Sequence, residues 1–439
     1  MPSPAEEERA SPPALVVARR RPRHLPLYQR LAIPLALMGP GLLTGIVDND
    51  ATGITGYSIA GAHFGYSMLW ALLLSAVALA TIQQTVARMG AVTGKGLADL
   101  IRERFGVAIS LMAMVTLLIA NAATTVAEFA GIAGASEIFG ISRFISVPIC
   151  ALVIFLLVAY GSYRRVEMVL LAVSIVSGAY IVTGFLAGPD WGSVAHGYLV
   201  PSIRFNLPYL TVLIGLIGTT ITPWEMFYNQ AAVVDKGVGE KDVKMVGLDA
   251  YAGSIIMAIV ASFIIITTAA TLWAHGEPAN TVDDVSKALR PLAGSFASEL
   301  FAIGLLNASL MAMAVLPLST AYAVCEAFGW ERSVNRGVRE APAFFGLFGA
   351  ILVAGALAVL VPGVPLIFLM FLPNVVGGIL LPVILILALR LVNDRRLMGQ
   401  FVNSRRQNVI ASTIVAVLII LSTIYMVVAI LSLFGWVQT

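Results

Sequence analysis

Eleven stretches of this chain stay predominantly apolar for about 20 residues, the length a helix needs to cross a hydrocarbon core. They lie near 33–60, 67–89, 107–134, 145–160, 166–187, 208–232, 248–274, 296–327, 343–361, 365–391 and 407–435. In lipid every backbone N–H and C=O must be paired within the spanning structure, which leaves only helices and closed barrels. A barrel strand needs only about 9–11 residues, so runs of this length select helices. Of the 439 residues, 59% are hydrophobic and 12% charged, with a mean hydropathy of +0.91, which no soluble domain shows. The expected fold class is an all-α integral membrane protein with eleven transmembrane helices, its partner the lipid bilayer.

Basic residues test that count, because Lys and Arg gather in short cytoplasmic loops. With the N-terminus cytoplasmic, 23 of the 27 Lys and Arg fall inside and only Arg143, Arg204, Lys287 and Arg290 outside. One span more or fewer would scramble this alternation, so the C-terminus is expected outside and the protein in the plasma membrane. The net charge of +3 then reflects topology and gives no reason to invoke nucleic acid. Residues 1–28, rich in Pro, Glu and Arg, read as a disordered cytoplasmic tail with no cleavable signal peptide. Residues 29–391 read as the core, its two halves about 29–187 and 208–391, and residues 392–439 as an eleventh helix with an outside terminus. Cys150 and Cys325 fall within spans and read as buried free thiols, neither a disulfide nor a metal site.

Within the first span stand two carboxylates, Asp48 and Asp50, flanking Asn49. Each charge at the centre of a membrane helix costs roughly 2.5–3.5 kcal/mol, and a bound cation is the obvious compensation. Gly39-Pro40-Gly41, Gly45, Gly53 and Gly56 surround them, so the helix is expected to unwind near Asp50. Span six repeats the theme with Gly215, Gly218, Thr219, Thr220, Thr222-Pro223 and Glu225, where proline removes a backbone donor. Five crossings separate the two spans, so blocks one to five and six to ten would be inverted copies. Secondary transporters build midplane ion or substrate sites from such paired discontinuous helices. The competing reading is that the glycines only permit close packing, Gly41 and Gly45 forming a small-xxx-small face.

Gly39-Pro40-Gly41, Asp50, the run Ala62-His63-Phe64-Gly65-Tyr66-Ser67-Met68-Leu69-Trp70, Val92-Thr93-Gly94-Lys95, Ala127-Glu128, Gly218 to Pro223 and Asn393-Asp394-Arg395-Arg396-Leu397-Met398-Gly399 together resemble the Nramp family of divalent-metal transporters. The likeness runs from about residue 30 to 400 and implies a LeuT-like 5+5 inverted repeat, discontinuous helices 1 and 6, and alternating access. Asp50 matches the aspartate of the family's Asp-Pro-Gly-Asn signature, with Ala51, Thr52 and Gly53 replacing Pro, Gly and Asn. In span six, Thr222 stands where the family has methionine and Trp224 where it has histidine, and Asn374 aligns with a glutamine of span ten. Thioether sulfur favours transition metals, whereas hydroxyl, carbonyl, carboxylate and water oxygens suit hard cations. Magnesium keeps several waters and is held by one or two carboxylates, so the chain looks like the family's magnesium-transporting branch. Thr125, Trp224 and Asn229 replace a titratable aspartate and two histidines of the proton-coupled members. Only Glu128 remains of that constellation, and the resemblance is to a carrier without obligatory proton coupling.

The candidate metal ligands are Asp50, Thr219, Thr222, Asp48, Glu225 and Asn374. Asp50 is expected to bind directly or through water; its alternative is to cap the broken helix. Asp48 would leave an intact helix on a different face. Thr222 would offer its hydroxyl, Thr219 its carbonyl at the break, and Glu225 an additional charge. Glu128 carries a proton, pairs with a polar group or lines the aqueous path. The function expected is secondary transport of Mg2+, and also of Mn2+, without a cofactor, the metal being substrate. The alternatives are a proton-coupled Mn2+ or Fe2+ importer and an organic-solute transporter of the same repeat, whose anionic substrates Asp48, Asp50 and Glu225 would repel. No His-Glu-x-x-His or Gly-x-Ser-x-Gly appears, so an enzyme is not expected.

Overall fold

The computed structural model describes residues 39–160, 174–277, 279–331 and 338–433. The expected tail at 1–28, the start of the first span and residues 161–173 of the fourth loop and fifth span lie outside the described residues. Among those described, nine helical stretches are long and apolar enough to cross a membrane, and no strand occurs. The first, Ala51–Thr93, contains parts of two expected spans joined through a 3-10 turn at Gly65–Met68. The fifth expected span appears as Ser174–Leu186. Each of the eleven expected spans thus falls on a described helix.

The first span is interrupted. Helix α1 (Pro40–Val47) starts with proline at its first turn, and Asp48 ends it. A second helix, α2 (Ala51–Phe64), begins after Asp50, whose extended backbone and side chain cap it by accepting from Gly53 N–H at 2.9 Å. Gly65, at φ +57°, turns the chain into α3 (Leu69–Thr93). Helix α4 (Leu97–Ile138) kinks at Gly106, whose φ of +80° only glycine adopts without strain. Helices α5 (Arg143–Tyr160), α6 (Gly178–Leu186) and α7 (Trp191–Leu199) complete the first block.

The sixth span repeats the interruption. Helix α8 (Leu207–Thr220) is capped by Asn206 and ends where Ile221 and Thr222 become extended. Helix α9 (Pro223–Asp235) then starts with Pro223. Proline pushes the preceding residue out of the helical region, and having no N–H it leaves the Thr219 carbonyl without its i+4 donor. There follow α10 (Val243–Thr268), α11 (Ala297–Phe328), α12 (Pro342–Val359), α13 (Leu366–Val392), the short α14 (Arg395–Met398) and α15 (Arg405–Leu433).

Packing places the two interrupted spans at the centre. Helix α10 lies along α3, α1 and α2, while α4 is held between α11 and α13, and α8 rests on α13. Side-chain-free surfaces make the closest of these approaches. A Cβ on Gly45 would stand 2.2 Å from Gly253 O, and one on Gly218 would stand 1.9 Å from Asn374 O. The face of α1 carrying Gly41 and Gly45 is therefore a packing face, as the competing reading held. Packing accounts for those glycines and says nothing of the carboxylates beside them. The outer surface is apolar, with Leu74, Leu152 and Val353 exposed, as lipid contact requires.

Candidate metal centre

Four carboxylates meet between the interrupted spans, and all are buried: Asp48, Asp50, Glu128 and Glu225 are each at most 2% exposed. Among the described residues none is ion-paired with a Lys or Arg; the ion pairs, such as Lys95–Glu103 and Arg143–Glu137, join loops and helix ends. They form two facing pairs. Asp50 at the head of α2 faces Glu128 of α4, and Asp48 at the end of α1 faces Glu225 in the first turn of α9. Glu225 is thus the stronger neighbour of Asp48, and Asp50, two residues on across the break, the weaker.

Each pair has part of its hydrogen bonding met and part open. Asp50 Oδ1 accepts from Thr52 Oγ1 at 2.6 Å as well as from Gly53, and Glu128 Oε2 accepts weakly from Ala51 N–H at 3.4 Å. Glu225 Oε2 accepts from Gln83 Nε2 at 2.6 Å, and Gln83 Oε1 accepts from Asn229 Nδ2 at 2.6 Å. Glu128 Oε1, Asp48 Oδ2, Glu225 Oε1 and the Thr222 hydroxyl have no partner. Two buried carboxylates that face each other without a counter-charge repel at a cost of several kcal/mol, which a cation or a proton between their oxygens would relieve.

The threonines bridge the two breaks. Thr219 Oγ1 lies 3.3 Å from Thr52 Oγ1, and Thr220 Oγ1 lies 3.0 Å from the Tyr57 hydroxyl. Asn374 of α13 donates its amide to the Thr52 carbonyl at 2.9 Å, and a Cβ on Gly56 would stand 2.8 Å from that amide nitrogen. The amide nitrogen is a donor and cannot ligate a metal, so only Asn374 Oδ1 is left to do so. Asn49 makes one long contact, its amide to Gly45 O at 3.5 Å. Asp50, Thr219 and Asn374 therefore converge on the first turn of α2. Asp48, Glu225 and Thr222 cluster at the other half of the interruption. Among the described residues no three His, Cys, Asp or Glu side chains form one metal cage.

Gln83, Thr52 and Tyr57 join this network without having been singled out as site residues. Gln83 stands beside Gln84 inside the apolar second span, a polar pair visible in the sequence. Thr52 and Tyr57 gave no such signal. At the positions matched to titratable groups, Thr125 bonds to Asn121 O at 2.8 Å, Asn229 is engaged with Gln83, and Trp224 packs among Val47, Met311 and Val315. His63, His196 and His275 lie at helix ends and none reaches the carboxylates. Asp394, in the seven-residue run 393–399, caps α14 and pairs with Arg104 at 2.5 Å; the Arg396 N–H and that guanidinium hold its carboxyl below the usual range. Its role is structural.

The model of the family described as natural resistance-associated macrophage protein-like matches residues 41–429. A curated protein of Ralstonia nicotianae, "Divalent metal cation transporter MntH", is 31% identical over 422 residues, covering 90% of this chain and 91% of that one. Among solved structures, a manganese transporter of Eremococcus coleocola superposes with a TM-score of 0.74 at 22% identity, over 95% of this chain and 91% of that one. An inward-facing structure of Mhp1 superposes with a TM-score of 0.53 at 17% identity, covering 90% and 89%. The fold is the one these transporters share.

Proposed function

Because this chain belongs to the Nramp family and is an integral membrane transporter of divalent metals rather than an enzyme, we propose that it carries oxygen-preferring dications, Mn2+ and Mg2+, by alternating access. The observation that carries this reading is the donor set between the two interrupted spans: carboxylate, hydroxyl, carbonyl and amide oxygens, with Thr222 where the family has a thioether. Oxygen donors suit both Mg2+ and Mn2+. The names of the relatives support Mn2+; the absence of sulfur among these donors supports Mg2+ beside it. Two carboxylate pairs, neither a complete cage, suit a cation that keeps part of its hydration shell. The ligands are Asp50, Thr219 and Asn374 on one side and Asp48, Thr222 and Glu225 on the other.

Uptake of Mn2+ into proteoliposomes, competed by Mg2+, Ca2+, Zn2+ and Cd2+, tests the proposal. Mg2+ should compete within about tenfold of unlabelled Mn2+, and the softer Cd2+ should gain no advantage. Competition by Cd2+ and Zn2+ with indifference to Mg2+ would replace it with transition-metal transport.

Proton coupling separates the two readings of the cycle. Engagement of Thr125 and Asn229 in neutral hydrogen bonds and burial of Trp224 among apolar side chains support transport without obligatory coupling. The alternative, a proton-coupled Mn2+ or Fe2+ importer, draws on the kinship with MntH and on Glu128, which faces Asp50 with one oxygen unpartnered. A pH dye inside the vesicles decides between them: a flat trace during metal influx supports the first, stoichiometric acidification the second. The distribution of basic residues supports a plasma-membrane protein with a cytoplasmic N-terminus and an outside C-terminus.

A further inference from the structure

Helices α3 and α10 pack along their length and leave a groove on the outer face. At one end it widens to a cavity of about 510 Å³ lined by Gln84 and Arg88 of α3, Lys244, Leu248 and Tyr251 of α10, and Phe401. Farther along the same two helices lies a cavity of about 650 Å³ that is nearly all apolar, lined by Leu73 and Val77, Ile255, Ala258 and Ile259, and Trp191 of α7. Lys244, Leu248, Tyr251, Ile255 and Ile259 follow one another at spacings of three and four residues and so form one stripe on α10. All five are exposed, Leu248 at 69% and Ile255 at 57%. The stripe begins at the Lys244 ammonium, passes Leu248 and the Tyr251 phenol, and ends on the aliphatic Ile255 and Ile259, so its cationic and aromatic groups lie toward one end, as at a membrane interface. Its fifteen-residue rise of about 22 Å matches half a bilayer, headgroups included.

The polar end carries positive charge with no matching anion. Arg88 is only 6% exposed; it donates through Nη2 to Asn403 Oδ1, while its Nε has no partner. Among the described residues neither Arg88 nor Lys244 is ion-paired. Of the carboxylates near Lys244 in sequence, Asp242 accepts the Gly239 N–H at 3.4 Å at the turn before α10, and Asp249 is turned to α1, where it accepts the Gly41 N–H at 2.7 Å. A buried guanidinium with an unmet donor is completed best by an anionic oxygen, and phosphate is the one a membrane supplies. The basic loops put this end of α3 and α10 toward the cytoplasm, where basic pockets between helices bind anionic headgroups.

We propose that the α3–α10 groove binds one anionic phospholipid, its phosphate at Arg88, Lys244 and Tyr251 and an acyl chain along Ile255 and Ile259. Two cations without a counter-charge select a net negative headgroup over a zwitterionic one. Because α10 also lies against α1 and α2, the lipid would brace the helix on which the interrupted first span rests.

Thermal melting of the purified full chain in detergent tests this, with dioleoylphosphatidylglycerol, dioleoylphosphatidylcholine or glycerol 3-phosphate added. Phosphatidylglycerol should raise Tm by about 2–4 °C above phosphatidylcholine, and glycerol 3-phosphate at the same concentration should leave it unchanged. Lys244→Glu, at an exposed position, and Ala258→Trp, which fills the chain end of the groove, should each remove that increment. Equal rises with both lipids, an equal rise with glycerol 3-phosphate alone, or an increment that survives Lys244→Glu would each overturn the proposal. Ala258→Trp counts only if its melting in phosphatidylcholine equals that of the parent chain, and an increment surviving it then overturns the acyl-chain half.

Discussion

At the residue scale, Asp50 does two things that a single substitution confuses: it caps α2 and it presents a carboxylate to the break. Asparagine caps helices as well as aspartate does but carries no charge. Asp50→Asn should therefore abolish metal uptake in proteoliposomes while lowering stability by less than about 1 kcal/mol, and Asp50→Ala should lose uptake together with about 1 kcal/mol or more of the cap. Uptake by Asp50→Asn at the parent rate would reduce Asp50 to a cap. Gln83 makes a different point. It donates to Glu225 and offers no oxygen free of Asn229, so Gln83→Leu should lower uptake about 10–100-fold by releasing Glu225, with the fold retained by circular dichroism. The carboxylates were legible in the sequence because a charge in an apolar run is an anomaly that needs no partner to be noticed. Gln83 was visible as a polar residue in an apolar span, but its role was not legible, because that lies in a contact with a residue 142 positions away that no local spacing encodes.

At the element scale, both interruptions were legible, since proline chemistry and glycine density act on their own backbone. The joining of spans one and two through the Gly65–Met68 turn was not, because hydropathy registers the apolar runs and is blind to a helical connection between them. The glycines of α1 carry a further consequence. A Cβ on Gly45 would stand 2.2 Å from Gly253 O, and backbone cannot yield as a side-chain end does. Gly45→Ala should destabilise by about 1–3 kcal/mol or more in detergent melts through overpacking. Gly304→Ala, whose Cβ would meet only Val176 Cγ1 at 3.4 Å, should be neutral or stabilising by up to about 1 kcal/mol. Equal effects of the two would show that α1 does not depend on contact with α10.

At the scale of the whole molecule, length and loop charge made the membrane class legible, and the recurrence of a broken helix five spans on made the repeat legible. Which dication is carried was not, because at the proposed site affinity would depend on how many waters an ion keeps between two carboxylate pairs that only the folded chain brings together. Those pairs are buried: Asp50 is 2% exposed, Glu225 1% and Thr222 7%. Were the proposed ligands to hold the ion, their burial among the described residues would keep it from free exchange with either compartment, so influx should level off as external metal rises. Its rate should be that of a microsecond-to-millisecond or slower rearrangement. A fraction of the bound metal, up to one per chain, should also outlast rapid mixing with EDTA. On the proposed cycle such a protein would behave as an airlock, releasing its passenger only when it next changes shape, however strong the trap waiting outside.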